Sequence, residues 1–235
     1  MSALQTELER LYGAVAEEGA QGGVAVTRAL VLELARPADW QALSAVWRGV
    51  QTDLELPAPA IAVNGVDGYQ LWFSLAEPVA VEQGQAFLEL LRARYLAAVP
   101  RARIRCLPTR EQGWAGARVP AQQAPHGYWS AFLAPDLATL FADEPWLDRE
   151  PSPEAQAGVL AALQSIKPAA WVAAQPTQRP APAPALHTAG GEAASAASNY
   201  AQQPRRFLLE VMNNPAVELH LRIEAAKALL PYYSD

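Results

Sequence analysis

An α+β fold follows from three observations on this 235-residue chain. Between residues 24 and 110, runs of strand length alternate with apolar stripes of helical period, in the order β-α-β-β-α-β. Two of the strand runs, 60–64 and 69–75, are joined by the turn Asn64-Gly65-Val66-Asp67-Gly68 and pair as a hairpin. Hydrophobic residues make up 51% of the chain, enough for one sizeable core and a small appendage. The succession predicts the split βαβ, ferredoxin-like arrangement, an antiparallel sheet of four strands with two helices on one face. That topology serves many functions and assigns none by itself.

Each element has its own signature. Leu4, Leu8, Leu11 and Val15 share one face of a helix over 3–18, which Gly19 and Gly22-Gly23 end. The first strand is the core of Val24–Ala35, Ala29-Leu30-Val31-Leu32-Glu33-Leu34. Pro37 opens the next helix, with Trp40, Leu43, Val46, Trp47 and Val50 inward. After the hairpin, a helix over 80–98 turns Phe87, Leu88, Leu91 and Tyr95 to the core, and strand 103–107 closes the set. A further hairpin around Pro125-His126-Gly127 is expected within 115–133, and two short helices after Pro135 and Pro153.

Composition then divides the chain. Residues 1–171 form the α+β domain. From 172 to 203, Ala, Pro, Gln and Ser dominate, which reads as a disordered linker. In 204–235 the stripes Phe207, Leu208, Val211, Met212 and Leu219, Leu221, Ile223, Leu229, Leu230 flank Asn213-Asn214-Pro215 and read as an αα-hairpin. Two short helices do not bury their apolar faces alone, so this hairpin is expected to meet an unknown protein partner or a second copy of the chain.

Charged residues are 18%, below the usual share of about a quarter, and net charge is −6. Such a chain lacks a bulk electrostatic grip on phosphate backbones, so nucleic-acid binding needs a local basic cluster. A single cysteine, Cys106, excludes an internal disulfide and fits a reducing compartment. No signal peptide or membrane span is read, and the expected location is cytoplasmic.

Over about 24–110 the chain resembles the core of the archaeo-eukaryotic primase-polymerase family. The family's glycine-turn signature is similar to Asn64-Gly65-Val66-Asp67-Gly68-Tyr69-Gln70-Leu71-Trp72 with Glu77-Pro78 behind it. Its basic signature is similar to Arg103-Ile104-Arg105-Cys106-Leu107-Pro108-Thr109. The resemblance places Gln70 where the family has a histidine, and the single carboxylate Glu33 where it has a metal-binding pair. Nucleotidyl transfer of the polymerase type clamps two divalent ions between carboxylates. The resemblance therefore implies ancestry without templated synthesis, unless Asp39 or Asp67 supplies the missing ligand. Residues 207–215 and 222–232 are similar to a helical motif of phage small-terminase-like proteins, which implies a phage or mobile-element setting.

Strand alternation sets Gln70, Trp72 and Ser74 opposite Tyr69, Leu71, Phe73 and Leu75, and Glu33 opposite Leu32 and Leu34. One arrangement leaves that face open, presenting Gln70, Trp72, Arg103 and Arg105 to single-stranded nucleic acid, with the indole stacking a base. The other covers it with 115–133 and places Trp72 in the core. His126, His187 and His220 lack ligand spacing and read as surface residues, and Cys106 reads as a buried structural thiol. Gly65 and Gly68 lack the following helix of a phosphate loop. No catalytic residue, metal ligand or cofactor is expected. The leading expectation is a non-catalytic interaction or regulatory protein. The alternatives are a nucleic-acid-binding component of a replication or packaging system and a divergent nucleotidyltransferase.

Overall fold

The computed structural model describes residues 2–13, 20–21, 24–109 and 118–175. They belong to the compact unit Met1–Gln178. The expected helical hairpin at 204–235 and the expected linker beyond 175 lie outside the described residues. So does the end of the first expected helix.

The fold is α+β. Its strands are β1 (Ala20–Gln21), β2 (Val24–Ala35), β3 (Ala60–Val63), β4 (Gly68–Ala80), β5 (Ile104–Leu107) and β6 (Ala131–Leu133). Its helices are α1 (Ala3–Tyr12), α2 (Trp40–Thr52), α3 (Val81–Tyr95), α4 (Pro153–Ala161) and α5 (Pro168–Ala174). The five strands β5-β2-β4-β3-β6 pair antiparallel in that order, and the two-residue β1 pairs with the start of β2. The first four have the strand order of the split βαβ arrangement, and β6 extends it past β3.

The hairpin between β3 and β4 is fixed by one side chain. Asn64 Oδ1 accepts from the N–H groups of Val66, Asp67 and Gly68 at 2.9–3.0 Å, so three turn donors share one acceptor. Gly65 sits at φ +80°, and a Cβ there would lie 2.7 Å from the Ser130 nitrogen, so both backbone angle and space demand glycine.

The sheet carries a core on each face. Leu30, Leu32, Leu34, Leu71, Phe73 and Leu75 pack against Leu43, Val46 and Val50 of α2 and Phe87, Leu88 and Leu91 of α3. Trp171 and Ala174 of α5 join this layer, so the helix extends three residues into the stretch whose composition reads as linker. On the opposite face Ala29, Val31, Ala60, Ala62, Trp72 and Phe132 meet Leu11 and Tyr12 of α1, Leu160 of α4, and Val119. The result is three layers, helices on both faces of the sheet.

α1 is seated by polar contacts as well as apolar ones. Ser2 Oγ caps its N-terminus, accepting from the Gln5 N–H at 3.2 Å. Arg10 donates to the carbonyls of Leu160 and Leu163, at and just beyond the end of α4, at 3.0 and 3.1 Å. Ser74 Oγ donates to the Leu11 carbonyl at 2.5 Å.

Candidate functional site

β5, β2 and β4 lie side by side, and their register sets Glu33 between Arg105 and Gln70. Their alternation sends Glu33, Gln70, Trp72 and Arg105 away from α2 and α3, since the neighbours Leu32, Leu34, Leu71 and Ile104 belong to the α2–α3 core. Each Glu33 carboxylate oxygen has its own donor: Gln70 Nε2 to Oε2 at 2.6 Å, and Arg105 Nη1 to Oε1 at 3.1 Å. Gln70 Oε1 in turn accepts from Trp72 Nε1 at 2.9 Å. An indole N–H only donates and a carboxylate only accepts, so Gln70 must present its oxygen to one and its amide to the other.

This row is built from inside outward. The Glu33 side chain is 4% exposed, whereas that of Arg105 is 38% exposed and brings the compensating charge to the protein surface. A carboxylate so deeply placed is tolerated only when paired and hydrogen-bonded, and both conditions are met. The Trp72 ring is enclosed by Tyr12 and Phe132, with centroids 5.3 and 5.7 Å away and edge-to-face angles of 61° and 73°. Burial pushes ionisation of the Tyr12 hydroxyl well above its ordinary range, with nearby Arg10 acting in the opposite direction.

Of the residues expected on this face, the structure therefore brings Gln70, Trp72 and Arg105 together around Glu33. Gln70 and Trp72 are both buried, and Trp72 lies beneath Tyr12 of α1 and Phe132. Arg103 stands apart, in the short turn Arg101–Arg103 before β5. It donates to the carbonyls of Ala35 and Pro37 and approaches Asp39 at 3.9 Å, which ties the entry of β5 to the exit of β2. Asp67 accepts from Asn64 Nδ2 within the hairpin turn, and Asp39 caps α2 by accepting from the Ala42 N–H at 2.9 Å.

Concavities among the described residues were not read from the sequence, and two of them bear on function. One lies between α3 and β5, about 190 Å³, lined by Arg92, Arg101 and Arg105 and, as its one carboxylate among the described residues, by Glu89. Its signal was present as the acid-free run 92–105, which holds five arginines. Hydrogen bonding from Arg101, with further help from Arg92, holds the Glu89 carboxyl below its usual range. Cys106 also lines this cavity, and burial pushes its thiol up to about 12. The second concavity, about 450 Å³, is lined by apolar groups including Trp47, Pro59, Ile61, Leu133, Val159 and Leu163.

Among the described residues no group of three or more His, Cys, Asp or Glu side chains could hold a metal ion, and no helix is long and apolar enough to cross a membrane. Comparisons with family models, curated proteins and solved structures return no match for this chain.

Proposed function

We propose that this chain is a non-catalytic interaction or regulatory protein built on a degenerate primase-polymerase core. The observation that carries this reading is the pairing of Glu33. It occupies the position the resemblance gives to metal-binding carboxylates, yet its two oxygens are already taken by Arg105 and Gln70. A divalent ion there must displace a guanidinium and then finds one carboxylate, whereas two-ion transfer needs several hard oxygen ligands.

The interaction half of the reading is supported by apolar surface. The concavity that includes Trp47 and Leu163 is lined mostly by apolar groups, and Leu137 and Leu140 are exposed, the latter at 74%. Exposed apolar surface of this kind marks contact sites between proteins.

Calorimetric titration of the full chain with nucleoside triphosphates, with and without Mg²⁺, tests the proposal. No Mg²⁺-dependent heat of binding is expected. Mg²⁺-dependent nucleotide binding that disappears in Glu33→Ala contradicts the reading and favours a divergent nucleotidyltransferase.

A further inference from the structure

We infer that the cavity between α3 and β5 is a binding site for a phosphate group, held by Arg92 and Arg101. The two guanidinium groups reach the cavity from different walls, one from the last turn of α3 and one from the turn that precedes β5. Both bind the same atom: Arg92 Nε donates to Glu89 Oε2 at 2.8 Å and Arg101 Nη1 at 2.7 Å. One carboxylate oxygen thus gathers two like charges into close quarters, and it balances only one of them.

Each guanidinium spends one N–H on Glu89, and its other donors make no bond to a described side chain or carbonyl. Arg105 lines the same cavity, although its charge is balanced by Glu33. Gln85 closes the inner wall, its Nε2 donating to the carbonyls of Cys106 and Pro108. The cavity is therefore a concave surface with a surplus of fixed N–H donors and local positive charge, on a chain whose net charge is −6.

That combination selects a small anion with several acceptor oxygens. Guanidinium groups bind phosphate through paired N–H···O bonds, and donors that another bond already orients lose little freedom on binding. A volume of about 190 Å³ is below the range of roughly 300–1,000 Å³ typical of drug-sized ligands, and it fits a phosphate or pyrophosphate moiety without an attached nucleoside. The phosphate could belong to a free small anion or to the terminus of a nucleic acid, since the chemistry at the site is the same. The site does not depend on the non-catalytic reading, because neither Arg92 nor Arg101 belongs to the Glu33 row.

The test uses the full chain and sodium pyrophosphate, with sodium chloride at matched ionic strength and sodium acetate as comparators. Calorimetry is expected to show saturable pyrophosphate binding, weakened about 10–100-fold by Arg101→Gln. The Arg101 side chain is 67% exposed, so this variant tests the site without challenging the fold. The double variant Arg92→Gln/Arg101→Gln is expected to abolish binding. A response equal to that of acetate or chloride, or binding unchanged in Arg101→Gln, overturns the proposal. A second arm compares oligothymidylate with and without a 5′-phosphate. Arg101-dependent binding of the phosphorylated oligomer alone assigns the site to nucleic-acid termini, and binding of pyrophosphate alone assigns it to a small anion.

Discussion

Gln156 pairs with both main-chain groups of Phe132. Its Oε1 accepts from the Phe132 N–H at 2.7 Å, and its Nε2 donates to the Phe132 carbonyl at 3.0 Å. A residue of α4 thereby replaces the neighbour that β6 lacks at the edge of the sheet. Gln85 does related work at the other edge, where it takes up the carbonyls of Cys106 and Pro108. Unpaired edge strands template association with other chains, and at the β6 edge Gln156 occupies both main-chain groups of Phe132.

Gln156→Leu keeps the volume and removes the pairing, leaving two buried main-chain groups without partners. A loss of about 2–4 kcal/mol in unfolding free energy is expected from denaturant titration. A loss under about 0.5 kcal/mol, typical of a neutral surface change, contradicts the role given to this residue.

Tyr69 predicts an alkaline limit. Its hydroxyl donates to the Ala138 carbonyl at 2.7 Å, and burial, with Asp143 adding to it, pushes its ionisation up to about 12 from an ordinary 10.0. A folded value above the unfolded one means stability is fully present below pH 10 and is lost as pH rises through 12. Tyr12 shifts in the same direction. Unfolding followed between pH 10 and 12 is therefore expected to show falling stability. The fall should be shallower in Tyr69→Phe, and equal slopes in the two proteins count against this origin.

Cys106 is expected to be inert at neutral pH. Burial and the negative charge of Glu89 raise its thiol from 9.0 to about 12, so the thiolate, the reactive form, is scarcer by about 10³-fold. Alkylation by iodoacetamide at pH 7.5 should be slower than that of a free thiol by about this factor. A rate within tenfold of free cysteine contradicts it.

The alternation of strand residues was enough to place Glu33, Gln70, Trp72 and Arg105 on one face, because a period of two leaves no other choice once Leu32 and Leu71 point to the helices. The pairing of Glu33 with Arg105 was not legible. It depends on the register of β2 against β5, which are separated by some seventy residues and whose relation no local pattern encodes. The cover over Trp72 was half legible. Phe132 and Val119 come from the segment expected to cover it, but α1 and α4 also contribute, and α1 carries a stripe that fits any apolar surface. α5 was hidden because its Pro, Ala and Val residues resemble the linker composition that follows; what marks it is core packing, Ala174 in the buried layer and Trp171 against Phe87, centroids 4.9 Å apart. Gln156 and Gln85 carried no signal, since a polar residue on a helix face looks solvated until the strand beneath it is known.

Thermal and denaturant unfolding of Glu33→Gln tests most directly whether Glu33 is a structural carboxylate. Replacing a residue kept for catalysis or metal binding commonly leaves stability unchanged or raises it. Removing one partner from a buried, hydrogen-bonded ion pair lowers it. The structure predicts a loss of about 1–3 kcal/mol, because Arg105 and Gln70 lose a charged acceptor. A melting temperature equal to or above that of the unmodified chain would contradict this and return Glu33 to the list of functional residues.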